Sequence, residues 1–187
     1  SSLASTLCAI MLAWGLYGMT CLGMGAWYIR CRRQTVCTAK DLAAAYWVGF
    51  ATLLGILQIW HLLRPVNGWA HVILIGVGLL GFLSLLPQIA SSWSGIRAVR
   101  RLFFVLLLLL LAVWIADRSI GPGTFYDAGL YHIQAVKWIT RYRIIPGLAN
   151  LHWRLGFTSS LHLFAALMNQ GIWAGNANHL MNGFILV

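Results

Sequence analysis

Carboxylates are nearly absent from this chain: across 187 residues only Asp41, Asp117 and Asp127 carry one. Charged residues of both signs make up 9% and hydrophobic residues 60%, with a mean hydropathy of +0.80. A soluble domain cannot cover its surface with so little charge, so the composition excludes that class and indicates an all-α integral membrane protein. No acid lies inside the long apolar runs, which removes the usual ion-coupling group of a transporter. Cysteine is sparse as well. Cys31 and Cys37 flank a basic loop with no histidine beside them, so they do not form a zinc site, and all four thiols are expected to be reduced. No repeat and no soluble domain is visible.

What the chain does have is long uncharged sequence cut by short basic clusters. Residues 3–29 carry no charge and then meet Arg30, Arg32 and Arg33. That run exceeds the roughly 20 residues needed to cross a bilayer, and it is too long for a signal-peptide core. Gly15, Gly18, Gly23 and Gly25 in it are small enough for close helix contacts. A second run extends from Leu42 to Leu63. A third covers 69–93 and is interrupted by Pro87, where a helix must kink or stop. The fourth, 102–116, is short for a span, so Arg100 and Arg101 are expected to snorkel at its end. Residues 156–174 read as a fifth membrane helix facing protein or a wet cavity, 176–182 as a polar break, and 183–187 as the start of a sixth helix, cut short. The expected fold is therefore five to six transmembrane helices, divided as a four-helix region at 1–116, a loop with an interfacial helix at 117–155, and a final helical part at 156–187.

The net charge of +10 does not indicate nucleic acid, because the basic residues sit in short loops between apolar runs. Residues 30–40 hold four basic side chains and 97–101 hold three, against one near residue 64. The positive-inside rule then places the first two loops in the cytoplasm and delivers 117–155 to the extracytoplasmic face. The expected location is a bacterial cytoplasmic (inner) membrane, crossed several times, with the lipid bilayer as the constant partner. The five basic residues Arg118, Lys137, Arg141, Arg143 and Arg154 in that outer segment run against the rule, and lipid phosphates offer them a functional reason.

The segment 117–160 is the one place where charge, aromatics, His, Gly and Pro mix. GPGTFY at 121–126 is turn-rich, and Asp127 follows where a helix N-cap belongs. In the helix expected next, Tyr131, Ala135, Trp138 and Tyr142 share one face, while Gln134, Lys137 and Arg141 share another. An aromatic face beside a cationic one suits the membrane interface. Two accounts of these residues stay open. Asp127 is a helix cap and Tyr131, Trp138 and Trp153 an aromatic belt. Or Asp127 accepts a proton from a sugar hydroxyl or holds a divalent ion, while Lys137, Arg141, Arg143 or Arg154 bind phosphate oxygens. Asp127 with His132 and His152 matches no metal-ligand spacing, so no metal site is assigned. No cofactor is named by the sequence either, although His162 or His179 has the chemistry to ligate a haem or chlorin as well as to form an ordinary hydrogen bond.

The runs YDAGLYHIQAVKW (126–138) and IIPGLANLHWRLGFTSS (144–160) resemble a segment of uncharacterised bacterial multi-pass membrane proteins, which are similar in turn to GT-C glycosyltransferases. The resemblance implies transfer of a sugar from a polyprenyl-phosphate carrier at the extracytoplasmic face, with an acid in a large outer loop. Carried over by position, Asp127 is the implied catalytic base, and the nearby basic residues Lys137, Arg141 and Arg154 are implied phosphate ligands. Tyr131, His132, Asn150 and His152 complete the candidate substrate-binding set. GT-C enzymes have more helices than these 187 residues provide, so the chain is read as such an enzyme or its N-terminal part. The alternative is a non-catalytic subunit of a larger membrane complex, packing against partner helices, lipids or pigments.

Overall fold

The computed structural model describes residues 3–31, 38–94, 98–120, 132–156 and 159–186. Among these residues all regular structure is helical: α1 (Leu3–Cys31), α2 (Ala39–Leu63), α3 (Gly68–Leu83), α4 (Leu86–Ser94), α5 (Ala98–Ser119), α6 (Ile133–Arg141), α7 (Leu148–Leu151), α8 (Ser160–Met168) and α9 (Asn178–Leu186). Short 3-10 turns at Trp153–Gly156 and Gly171–Trp173 join the later helices. Three helices, α1, α2 and α5, are long and apolar enough to cross a membrane. The contacts divide the chain into two compact units. One comprises Ser1–Leu53, Leu74–Arg118 and Val187; the other comprises Leu54–Ile73 and Ser119–Leu186.

In the first unit the helices approach through glycine. A methyl group added at Gly23 of α1 would fall on the Gly78 carbonyl of α3, and one at Gly49 of α2 would fall on the Cys21 carbonyl of α1. Apolar side chains gain little by leaving lipid, so van der Waals contact between backbones has to hold such helices together. Of the four α1 glycines singled out in the sequence, Gly23 and Gly25 make such approaches, while Gly15 and Gly18 have nothing within 4 Å. Thr20 is buried in this contact, and its hydroxyl donates to the Leu16 carbonyl at 2.8 Å, so no polar atom is stranded.

The third apolar run breaks where the proline predicts. Helix α3 stops at Leu83, and Pro87 lies in the first turn of α4, where its missing N–H costs no hydrogen bond. The Leu85 N–H donates to the Phe82 carbonyl at 2.8 Å, and the Arg30 guanidinium donates to the Ser84 carbonyl at 3.2 Å. The free carbonyls at the end of α3 are thus partly satisfied by a side chain from α1. At the start of α2, Asp41 is spent on a cap. Its carboxylate accepts from the Thr38 N–H and hydroxyl, each at 2.8 Å, and the Asp41 N–H returns to the Thr38 oxygen at 3.3 Å.

The later apolar runs are redrawn. The fourth run lies inside a longer helix, with Arg100 and Arg101 near its N-terminal end. Helix α5 has 22 residues and includes Arg100, Arg101, Asp117 and Arg118, giving a length of about 33 Å at 1.5 Å per residue. Charge does not end a helix, so the apolar run understates it. The region expected to hold a fifth membrane helix instead contains α8, nine residues long, or about 14 Å. That is about half of the roughly 30 Å of a hydrocarbon core. The polar break at 176–182 is mostly helix: Leu180 and Phe184 of α9 are buried, and the Phe184 ring packs on Phe164 of α8 at 5.3 Å between centroids.

In the second unit α8 packs against both α6 and α9. Seven consecutive residues, His162–Met168, are buried, so this helix is covered all round. Its C-terminal carbonyls are met by side chains. The His71 imidazole donates through Nδ1 to the Leu167 carbonyl at 3.0 Å, and the Gln170 amide donates to the Ala166 carbonyl at 3.2 Å.

Candidate functional site

The end of α2, helix α6 and the segment after it are laced together by backbone groups that the helices leave free. The His61 carbonyl, in the last turn of α2, accepts from the Ile144 N–H at 3.0 Å, and the Ile139 carbonyl, in the last turn of α6, accepts from the Val66 N–H at 3.0 Å. These two bonds hold the extended residues after Arg141 against the end of α2. The chain then turns at Pro146–Gly147, where Gly147 has a φ of 80°, a conformation that strongly favours glycine. A cavity of about 350 Å³ results, walled by His61, Trp138, Arg143, Ile145, Pro146 and Gly147 among others. A second cavity, of about 580 Å³, lies at the α2–α3 turn, with Trp60, Arg64, Asn67 and Trp69 in its wall. There the Trp60 indole already donates to the Pro65 carbonyl at 3.0 Å.

Asp127 and Tyr131 lie outside the described residues, and so does the proposed N-cap. His132, just before α6, is exposed, and its Nδ1 lies 2.8 Å from Nε2 of His162 in α8. The two rings meet edge to face, with centroids 5.0 Å apart. His162 is buried, and its other nitrogen, Nδ1, has no hydrogen-bond partner. Burial, and then the neighbouring His132, push the His162 pKa below its ordinary 6.5. A neutral His162 follows at pH 7, sharing one proton with His132.

Lys137 and Arg141 are both exposed, one turn apart on α6, and Gln134 is exposed with them. Trp138 and Tyr142 lie on the other face, their rings 5.3 Å apart, and Ile139 is buried. Asn150 in α7 and His152 beyond it are exposed. Arg154 lies in the 3-10 turn at Trp153–Gly156. Of the candidate residues, His132 is brought within hydrogen-bond distance of another titratable side chain, His162.

One group escaped sequence reasoning, His61, and the partner of another, His162, was not foreseen. Each is a single histidine in an apolar run, and the segments packed on it come from 30 or more residues away, so spacing carries no signal. His179, which the sequence left open between a pigment ligand and a hydrogen-bonded side chain, has its Nδ1 engaged with the Ser119 carbonyl at 2.7 Å. Among the described residues no group of three or more His, Cys, Asp or Glu side chains is placed to hold a metal ion.

Residues 7–187 match the model of a family described as a domain of unknown function (DUF8201). No curated protein and no solved structure matches the chain. The match spans nearly the whole sequence, and the chain belongs to that family.

Proposed function

We propose that this member of the DUF8201 family is a multi-pass inner-membrane protein of the GT-C type, moving a sugar from a polyprenyl-phosphate carrier to an acceptor hydroxyl at the extracytoplasmic face. Helices α1, α2 and α5 cross the membrane, α3 and α4 together make a further broken crossing, and α6 lies in the interface. The positive-inside rule puts the basic stretches 30–40 and 97–101 in the cytoplasm. The C-terminal ends of α2 and α5 then fall outside; residues 54–63 of α2 belong to the second unit, while α5 belongs to the first as far as Arg118. The account assigns the chemistry to the second unit.

In the proposed reaction the acceptor oxygen bonds to the anomeric carbon, and the bond from that carbon to the phosphate oxygen breaks. The hydroxyl proton goes to the Asp127 carboxylate, and the lipid phosphate leaves with its charge balanced by Lys137, Arg141 and Arg154. The observation that supports this reading is the His132–His162 contact. His132 follows Asp127 by five residues in the sequence, so the segment proposed to carry the reaction runs directly into the contact of His132 with α8. Membranes containing the full reading frame with Asp127→Asn should lose transfer of sugar from lipid-linked donors. Transfer at the wild-type rate would overturn the catalytic role.

The second reading is a non-catalytic subunit of a larger complex, in which the exposed leucines Leu106 to Leu111 of α5 would pack against another chain instead of lipid. Purification of the chain with a larger complex at fixed stoichiometry, without transfer activity, would decide for the subunit.

A further inference from the structure

The turn between α2 and α3 gathers two indole rings, a cation and an amide around one cavity of about 580 Å³. Trp60 is pinned there. Its N–H donates to the Pro65 carbonyl at 3.0 Å, so the indole has only its ring to offer a ligand. Trp69, at the start of α3, is 74% exposed. Asn67 caps that helix: its Oδ1 accepts from the Trp69 N–H at 3.2 Å, which leaves the NH2 end to donate. The Arg64 side chain is exposed. Among the described residues neither its guanidinium nor the Asn67 NH2 meets a hydrogen-bond or ion-pair partner.

These groups together narrow the occupant. No carboxylate lines the cavity, so the charge of Arg64 has to be met from outside it. The planar guanidinium fork suits a carboxylate, whose two oxygens it takes at once. The two indoles favour a rigid apolar surface, because the face of an aromatic ring is electronegative and attracts C–H groups. Asn67 adds a donor for a further oxygen. A lipid headgroup on flexible acyl chains supplies the anion but no rigid face, and an apolar peptide segment gains nothing from Arg64. A pyranose that bears a carboxylate carries all three features on one ring: C–H bonds on its face, an anion at its edge, and hydroxyl oxygens around it. The volume lies within the range of small-ligand sites.

We propose that the cavity at the α2–α3 turn binds an acidic sugar, a hexuronate unit of a glycan, stacked on Trp60 and Trp69. Its carboxylate pairs with Arg64, and one of its hydroxyl oxygens accepts from the Asn67 NH2. With the turn at Arg64 outside the cytoplasm, as the positive-inside rule has it, the glycan is extracytoplasmic. The site uses none of the residues assigned to sugar transfer, so it stands apart from that reaction.

The test uses the full chain in a polyoxyethylene-ether detergent, which has no sugar head, and reads saturation-transfer NMR on the ligand's C–H protons. The probes are digalacturonate, the neutral digalactose, and a short-chain phosphatidylglycerol. Digalacturonate is expected to saturate, with Trp69→Ala weakening it about tenfold. Arg64→Gln should remove its preference over digalactose. Because Trp69 is largely exposed, Trp69→Ala should keep the wild-type thermal midpoint, and that readout separates loss of the stacking surface from loss of the fold. Equal binding of the two sugars by the wild type, or a preference that survives Arg64→Gln, would overturn the acidic assignment. Displacement of digalacturonate by phosphatidylglycerol at equal concentration would give the cavity to a lipid headgroup and overturn the sugar. Unchanged binding by Trp69→Ala, or no saturable binding at all, would overturn the site. No lipid-linked donor is present, so none of these outcomes depends on whether transfer occurs.

Discussion

Nδ1 of His132 and Nε2 of His162 lie 2.8 Å apart, joining a position at the start of α6 to the buried face of α8 across 30 residues of sequence. A hydrogen bond at this distance needs one shared proton, and two protons there would set like charges in contact. His162 therefore resists charging, through burial first and the neighbouring His132 second.

The sign of the resulting pH effect follows. The pKa of His162 in the folded chain lies below its ordinary 6.5, so the unfolded chain binds protons more readily. The stabilising contribution is complete above pH 6.5 and is lost as the pH falls toward the folded value. Thermal unfolding in detergent should show a lower midpoint at pH 5 than at pH 7.5. His162→Phe should flatten that dependence; an equally steep one in the variant would remove the pair as its source.

The glycine contacts of the first unit make a paired prediction. Gly49→Ala places a methyl group on the Cys21 carbonyl and Gly23→Ala places one on the Gly78 carbonyl, so the helices must separate. Each should cost about 1–3 kcal/mol of stability. Gly15→Ala meets open space and should be neutral or slightly stabilising. Chemical denaturation in detergent compares the three, and equal effects at all three positions would contradict the packing.

At the end of α8 the Leu167 carbonyl depends on His71, and the Ala166 carbonyl accepts from Gln170. Replacing His71 or Gln170 with Ala should each destabilise the chain by about 1–2 kcal/mol. Hydrogen exchange should rise first in α8 if these side chains hold its last turn. A uniform rise across the chain would place their effect elsewhere.

Sidedness can be read by thiol labelling. Cys31 is an exposed thiol at the C-terminal end of α1, in the basic stretch that the proposed topology puts in the cytoplasm. In intact cells a membrane-impermeant maleimide should leave Cys31 unlabelled and should label Asn150→Cys in a background with the other cysteines replaced. The reverse pattern would invert the topology.

Much of the helical frame is written in the sequence, because uncharged runs above the bilayer length leave few alternatives to α1 and α2. The proline at position 87 also marks the break between α3 and α4, since it lacks the N–H a continuing helix needs. The cationic face of α6 follows from the spacing of Gln134, Lys137 and Arg141 alone. Helices α8 and α9 were harder to see: Asn178, His179 and Asn182 look like a loop until Leu180 and Phe184 are placed against α8. The same limit hid the site. His61 and His162 matter through partners that are distant in sequence, and a lone histidine in an apolar run carries no sign of what it will meet. Asp127 and Tyr131, the centre of the sequence argument, fall outside the described residues, so their roles rest on position alone.

The transfer reaction itself is tested most directly with the purified full-length protein in liposomes, supplied with radiolabelled polyprenyl-phosphate sugars and a panel of hydroxyl acceptors. Labelled sugar should move to an acceptor with wild-type protein, fall to background with Asp127→Asn, and fall partly with His132→Ala. Transfer undiminished by Asp127→Asn, or no transfer from any donor by the wild-type protein, would contradict the account.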